Sequence, residues 1–244
     1  MYIEEFGPAG APTVLLLHGA GVKDTFCHQL PQLSGRYHVL LPHLPGAGLA
    51  AAEVYDPDAA LSVLLALVDG LPAGKLAVVG HSLGAQLAVR LTAARPQRFA
   101  CAVFCSAWVN PRPTVVRAYC RMAGACAGMM HWQWLVRLQG AYWHFSKEQA
   151  QAMAEDAARL TAEGYRAFFA HTLALDTVAN YEQLALPMLA LCGSGEVGDM
   201  KASLKLLGNN PHCRTRVVPG SHDYPMRRPE LLNPILADYL ASYL

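Results

Sequence analysis

One serine stands in a context that could make it a nucleophile. Gly80-His81-Ser82-Leu83-Gly84 follows an apolar, β-branched run and precedes a run rich in alanine and leucine. A sharp turn between a strand and a helix lifts a serine hydroxyl above a sheet, and the flanking glycines let the two backbones pass closely. Ser82 is therefore the predicted nucleophile, and the alternative is a serine that only caps the helix.

A serine hydroxyl needs a general base, and His222 is the best placed of the ten histidines. It lies in Pro219-Gly220-Ser221-His222, directly after a strand-like run. Loops that follow parallel strands meet at one edge of a sheet, so this loop is expected to reach Ser82. His222 is the predicted base.

A carboxylate should orient that histidine. Gly193-Ser194-Gly195-Glu196 follows another buried apolar run, which places Glu196 in the chain order serine, acid, histidine. Asp199 is the alternative acid, and Asp176 and Asp223 are weaker candidates. Without such a role, Glu196 and Asp199 would lie in a solvated turn or cap a helix.

An oxyanion formed at the serine would need hydrogen-bond donors. His18-Gly19-Ala20-Gly21 also follows a strand-like run and is typical of a loop that presents backbone N–H groups to an anion. The backbone N–H groups of Ala20 and Leu83 are the predicted donors. His81, beside the nucleophile, is expected to be a spacer whose ring lines the substrate site.

The elements that must position these residues alternate along the chain, which predicts an α/β fold with a mostly parallel sheet and helices on both faces. An antiparallel edge strand is expected over Tyr2–Phe6. The other predicted strands are Thr13–Leu17, Tyr37–Leu41, Lys75–Val79, Phe99–Phe104, Met188–Leu191 and Arg214–Val218. The predicted core helices are Asp58–Leu71, Ser82–Ala94 and Pro229–Leu244.

The alternation stops between residues 111 and 181, which predicts a helical insertion between two halves of the core, residues 1–110 and 182–244. Within it, Lys147–Glu163 is expected to be one helix, and Met122–Val136 is expected to be a buried helix too short to span a membrane. Such an insertion would form a lid over the strand ends. Its predicted substrate contacts are aromatic: Trp132, Trp134, Tyr142 and Trp143.

Composition limits the possible functions. The chain has 244 residues, 53% hydrophobic and 15% charged, which excludes a largely disordered protein. A net charge of +1 provides no basic surface of the kind that binds nucleic acid, so no nucleic-acid partner is expected. The seven cysteines form no C-x-x-C pair, and the first residues have no signal-peptide pattern, so reduced thiols and a cytoplasmic location are expected. No His/Cys spacing suggests a metal, no motif suggests a cofactor, and the oligomeric state stays open.

Together these motifs resemble the α/β-hydrolase fold over nearly the whole chain. They are His18-Gly19-Ala20-Gly21, Pro42-His43-Leu44-Pro45-Gly46-Ala47-Gly48, Gly80-His81-Ser82-Leu83-Gly84, Gly193-Ser194-Gly195-Glu196 and Pro219-Gly220-Ser221-His222. The resemblance implies a serine hydrolase with an acyl-enzyme mechanism and a helical cap, and no subfamily is assigned.

The expected function is a carboxylesterase-like hydrolysis of a small, mostly apolar ester, with a thioester or amide as alternatives. Because one fold hosts many reactions, a carbon–carbon bond hydrolase, aminopeptidase, haloperoxidase or lyase is the second hypothesis. A non-catalytic ligand-binding protein is the third.

Overall fold

A computed structural model describes residues 2–244, and one seven-stranded sheet organises it. The strands are β1 (Ile3–Phe6), β2 (Thr13–Leu17), β3 (His38–Pro42), β4 (Leu76–His81), β5 (Phe99–Cys105), β6 (Met188–Gly193) and β7 (Cys213–Val218). Their order across the sheet is β1-β3-β2-β4-β5-β6-β7. Strand β1 pairs antiparallel with β3, and β2 to β7 are parallel. The parallel strands therefore end at one edge, here called the carboxyl edge.

Burial on both faces explains why the central strands are nearly continuous apolar runs. Along β2, Leu15 and Leu17 belong to one buried cluster, whereas Val14 and Leu16 belong to the cluster on the opposite face. The alternation follows from the two-residue period of a strand. The predicted α/β fold with a mostly parallel sheet is confirmed.

Helices cover both faces of this sheet. The α-helices of residues 2–244 are α1 (Leu30–Ser34), α2 (Pro57–Gly70), α3 (Leu83–Ala94), α4 (Pro113–Cys126), α5 (Gln133–Tyr142), α6 (Lys147–Arg159), α7 (Ala162–Ala170), α8 (Gly198–Leu207), α9 (Tyr224–Arg227) and α10 (Pro229–Ala241). Helices α2, α3 and α8 contribute to one apolar cluster, and α1 and α10 contribute to the other.

Residues 111–181, the helical insertion, connect β5 to β6 and contain α4 to α7. Leu160, Phe168 and Leu175 join the apolar cluster that covers one face of the sheet. A separate cluster, with Phe145 among its members, packs against Met226 of α9. The insertion therefore rests on the α/β core at two places.

Two helix predictions inside the insertion are wrong. The helix expected over Lys147–Glu163 breaks near Leu160, because the Thr161 side chain accepts a hydrogen bond from the Gly164 N–H and starts a new helix there. The buried helix expected over Met122–Val136 is instead the end of α4, a 3-10 turn and the start of α5, and much of it is exposed. Within residues 2–244, each helix is too short or too polar to cross a bilayer.

Candidate active site

Ser82 occupies a strained turn at the carboxyl edge. Strand β4 ends at the preceding residue and α3 begins at the following one. The backbone of Ser82 has φ +53° and ψ −115°, a conformation that side-chain-bearing residues rarely adopt. A Cβ atom on Gly84 would collide with the carbonyl oxygen of Leu17, and one on Gly80 would collide with the backbone of Gly84. The close crossing of strand and helix therefore needs both glycines.

A continuous hydrogen-bonded chain joins three predicted residues. The Nε2 atom of His222 lies 2.9 Å from the Ser82 Oγ atom, and its Nδ1 atom lies 2.8 Å from Glu196 Oε2. A carboxylate can only accept, so Nδ1 carries the ring proton. The Nε2 lone pair of His222 therefore faces the Ser82 hydroxyl and can accept its proton.

Glu196 is held as a buried carboxylate. Its Oε1 atom accepts from the backbone N–H of Gly193 at 2.7 Å and from the Ser106 hydroxyl at 2.5 Å. Burial raises the pKa of this carboxyl, but hydrogen bonds from His222, Ser106 and Gly193 outweigh it and hold the pKa below its usual range. Glu196 therefore stays ionised at neutral pH and fixes the His222 ring.

The alternative acids lie elsewhere. Asp199 is buried in the first turn of α8, where Arg112 pairs with it at 2.6 Å. Asp223 follows His222 in sequence, but its Oδ2 atom accepts from the Trp143 indole at 3.1 Å. Asp176 lies in a 3-10 turn near the end of the helical insertion. Of the four predicted carboxylates, the structure brings Glu196 to the His222 ring.

His81 lies beneath His222 rather than on the surface of the site. Its ring is 3% exposed, and its Nε2 N–H donates to the backbone carbonyl of His222 at 2.9 Å. The two ring centroids are 4.9 Å apart. Burial, reinforced by the charge that His222 can carry, lowers the pKa of His81 well below its ordinary value, so the ring is neutral. The structure therefore places the His81 ring against His222, where it presents almost no surface to a substrate.

The loop after β2 is fixed by a second buried histidine. The Nδ1 N–H of His18 donates to the Gly19 carbonyl at 2.8 Å, and its Nε2 atom accepts from the Leu44 N–H at 2.9 Å. Burial lowers the pKa of His18 to about 4, so the ring is neutral at pH 7. Within residues 2–244, the N–H groups of Ala20 and Leu83 have no protein acceptor. These two donors are therefore available to a ligand.

The four predicted aromatic contacts separate into two groups. Trp143 donates a hydrogen bond to Asp223, which belongs to the loop of residues 219–223 between β7 and α9, here called the histidine loop. Trp132, Trp134 and Tyr142 are each more than half exposed to solvent. Helical periodicity identifies apolar positions but not which of them a neighbouring element covers, and the structure does not bring these three to Ser82.

Sequence reasoning missed Ser106, which contributes a hydroxyl to this site. Ser106 follows β5 at the carboxyl edge and has a left-handed backbone, with φ +55°. Its position at a strand end was a usable indication, because polar residues at that edge converge. The backbone geometry that aims its hydroxyl at Glu196 is invisible in the sequence.

Comparisons with known proteins agree with this architecture. The model of the alpha/beta hydrolase family matches residues 14–235. Lipase LipV of Mycobacterium tuberculosis is 35% identical over 104 residues, 42% of this chain and 40% of that protein. The alignment therefore spans well under half of that relative's length.

Solved structures resemble the whole chain. A thermophilic esterase from Thermogutta terrifontis has a TM-score of 0.75 at 21% identity, covering 99% of this chain and 93% of that one. The enol-lactonase from Burkholderia xenovorans has a TM-score of 0.74 at 18% identity, covering 98% of this chain and 96% of that one. At such identities the likeness establishes the fold alone.

Proposed function

This chain belongs to the alpha/beta hydrolase family, and on that premise we propose that it is a serine hydrolase that cleaves a small, mostly apolar carboxylic ester. The observation that carries the proposal is the hydrogen-bonded chain from the Ser82 hydroxyl through His222 to the buried Glu196. A serine becomes a nucleophile when a neighbouring base takes its proton, and this geometry provides that base.

The proposed reaction proceeds through an acyl-enzyme. Ser82 Oγ attacks the ester carbonyl while His222 Nε2 takes the hydroxyl proton. The N–H groups of Ala20 and Leu83 stabilise the oxyanion, and His222 then gives its proton to the leaving alcohol. Water, activated by the same histidine, attacks the acyl-enzyme and releases the acid. Glu196 stabilises the imidazolium of His222 in both halves.

Two further residues have proposed positioning roles. His81 donates to the carbonyl of His222 and supports the histidine loop from below. Ser106 donates to Glu196 Oε1 and helps to aim the other carboxylate oxygen at the imidazole. Hydrogen-bond partners of this kind fix the orientation of the reacting groups.

The helical insertion is the proposed cap of the site, and its inner side supports an apolar substrate. Phe168 of α7 packs against Gly21, the residue after the proposed oxyanion donor Ala20. Tyr119 of α4 stacks on Phe169 at 5.5 Å and meets Trp108 at the carboxyl edge. Phe168 thus places apolar surface beside the loop that carries Ala20, and the ring cluster of Tyr119 extends the apolar inner side of the insertion, which favours an uncharged acyl or alcohol group.

Cysteine usage supports the proposed cytoplasmic location. All seven cysteines are free thiols, and burial raises the pKa of Cys101, Cys105 and Cys192 to about 12. Such thiols behave as small apolar core residues, which is typical of a reducing compartment.

The test is intact mass after treatment with a fluorophosphonate, together with turnover of a panel of esters. We expect one adduct on the wild type and none on Ser82→Ala, whose ester turnover falls by about 10⁴-fold or more. Ser62→Ala, an exposed serine on α2, is the matched control and should keep the adduct.

An adduct that persists in Ser82→Ala, or a folded wild type that takes no adduct, would refute the proposal. Amide, thioester and β-diketone substrates in the same panel distinguish an esterase from the other hydrolases and lyases of this fold. Ligand-dependent stabilisation without any product would point to a binding protein.

A further inference from the structure

Exposed apolar side chains concentrate on one part of the helical insertion. Of the twelve large apolar side chains that are exposed among residues 2–244, six lie between residues 122 and 142. They are Met122, Met129, Trp132, Trp134, Leu138 and Tyr142. Contiguous exposed apolar surface usually marks an interaction site, whereas isolated exposed residues do not.

Helix α5 organises the centre of this group into a stripe. Trp134, Leu138 and Tyr142 are spaced by four residues, so they lie along one side of the helix. They are 61%, 59% and 53% exposed. Trp132 stacks on Trp134 with ring centroids 6.4 Å apart and planes 16° apart. These four residues are called the α5 stripe.

The opposite side of α5 packs against α6. Val136 and Gly140 are buried, and Gly140 lies so close to Ala150 of α6 that a side chain there would meet Ala150 within 2.8 Å. Helix α5 is therefore fixed on α6 through its small and apolar side, which leaves the α5 stripe facing solvent. Aromatic side chains have few rotatable bonds, so on a fixed helix they lose little conformational freedom when they bind.

The segment of chain that carries the stripe is basic. Residues 112–147 contain four arginines, one lysine and no aspartate or glutamate, whereas the whole chain has a net charge of +1. Arg112 pairs with Asp199, but within residues 2–244 no carboxylate lies within salt-bridge distance of Arg117, Arg121 or Arg137.

The neighbouring elements α6 and α9 contribute both signs of charge. Arg227 of α9 adds a further cation, because its guanidinium lies over the Tyr142 ring, 4.0 Å from the centroid. The carboxylates next along the chain, Glu148 and Glu155, belong to α6. Among residues 2–244, two arginines without a carboxylate partner thus lie at the stripe: Arg137 lines the same shallow depression as Trp132 and Trp134, and Arg227 lies over Tyr142.

We propose that the α5 stripe docks on an anionic lipid surface. Tryptophan and tyrosine prefer the boundary between headgroups and acyl chains, and arginines bind lipid phosphates there. A second copy of the chain docked stripe to stripe would bring two sets of unpaired arginines together, which disfavours a homodimer. The proposal concerns a surface outside the hydrogen-bonded chain of Ser82, so it stands or falls separately from the proposed reaction.

Co-sedimentation of the full chain with vesicles tests this proposal. Phosphatidylcholine vesicles that contain phosphatidylglycerol should bind at least about tenfold more tightly than phosphatidylcholine alone, since each cation near an anionic surface adds to the affinity. Added salt should weaken the binding to the anionic vesicles, because it screens exposed charges.

Two variants separate the apolar and charged contributions. Trp134→Ser with Leu138→Ser removes apolar area that docking would bury, and Arg137→Glu with Arg227→Glu reverses the two charges shown at the stripe. Each pair should weaken binding to anionic vesicles about tenfold or more. Val63→Ser, an exposed apolar residue on α2, is the matched control and should bind like the wild type. Circular dichroism and thermal unfolding establish that each variant is folded.

Equal affinity for neutral and anionic vesicles would overturn the proposal, as would unchanged binding by folded variants. The absence of vesicle binding, with a dimer in sedimentation equilibrium that Trp134→Ser dissociates, would show instead that the stripe joins two copies of the chain.

Discussion

The carboxyl edge of the sheet and the α5 stripe use polar and aromatic side chains in opposite ways. At the carboxyl edge, His18, His81 and Glu196 are buried and each makes a hydrogen bond of 2.9 Å or less. On α5, aromatic side chains point into solvent without such partners on the stripe side. Proton transfer needs groups held in advance, whereas a docking surface needs groups left uncovered.

The carboxyl edge and the helical insertion as a whole also differ in how tightly neighbouring atoms enclose the backbone. Gly84 leaves no room for a methyl group beside Leu17, but in α4 a methyl on Gly124 would meet only the Arg166 side chain, at 3.7 Å. Substitutions of the same kind should therefore have opposite consequences in the two regions.

The largest expected effect uses this pair of glycines. Gly84→Ala forces the strand and helix apart and should lower the free energy of unfolding by about 3 kcal/mol or more. Gly124→Ala should raise it by about 0.5–1 kcal/mol, since alanine favours an exposed helix. Urea unfolding measures both. Equal destabilisation by the two would show that the insertion is packed as tightly as the core.

Acidification should cause the next largest loss of stability, through the buried histidines at the carboxyl edge. Native His18 has a pKa of about 4, whereas the unfolded chain has the ordinary value of 6.5, so the unfolded state binds more protons between these pH values. The free energy of unfolding should therefore fall by about 2–3 kcal/mol from pH 7 to pH 4.5 for this residue alone. His81 acts in the same direction because its pKa is also lowered.

Urea titrations at several pH values measure this slope. His18→Gln should flatten it, while Ser62→Ala, on the exposed side of α2, should leave it unchanged. A slope that His18→Gln does not flatten would contradict the burial argument.

Removing the support beneath His222 should have an intermediate effect. His81→Phe keeps an aromatic ring but loses the N–H that donates to the His222 carbonyl, so kcat on an ester should fall about 10- to 100-fold with little change in KM. His81→Gln retains a donor and should recover part of this loss. If Phe and Gln behave alike, His81 contributes only packing.

The smallest expected effect lies where the insertion meets the histidine loop. Trp143→Phe removes the indole N–H that donates to Asp223 and should lower kcat/KM about threefold. Asp223→Ala should act similarly, and the double variant should lose no more than either single one, because both remove the same contact. Fully additive losses in steady-state kinetics would show that the two residues act independently.

The sequence predicted the sheet well because each parallel strand is a buried apolar run bounded by turn residues. Thr13–Leu17 has the predicted bounds, and the ends of the other strands agree with the prediction to within two residues. Ser82, Glu196 and His222 lie within four residues of the ends of β4, β6 and β7. Topology then brings Ser82, His222 and Glu196 together at the carboxyl edge.

The helical insertion is harder to predict from sequence. Local caps determine where its helices begin and end, and neighbouring elements bury only part of each helix. The Thr161 cap ends the helix expected to reach Glu163. Burial of His81 and exposure of Trp132, Trp134 and Tyr142 depend on which neighbour covers each position. Apolar spacing alone does not contain that information, so these assignments required the structure.

The contact between Trp143 and Asp223 has a consequence for anyone who would re-engineer this protein. Because Asp223 is the next residue after His222, the insertion is hydrogen-bonded to the short loop that carries the proposed base. Replacing residues 111–181 with the corresponding segment of another hydrolase should therefore change the rate of turnover as well as the range of substrates. A transplant that keeps an indole at this position should preserve more of the original rate than one that lacks it.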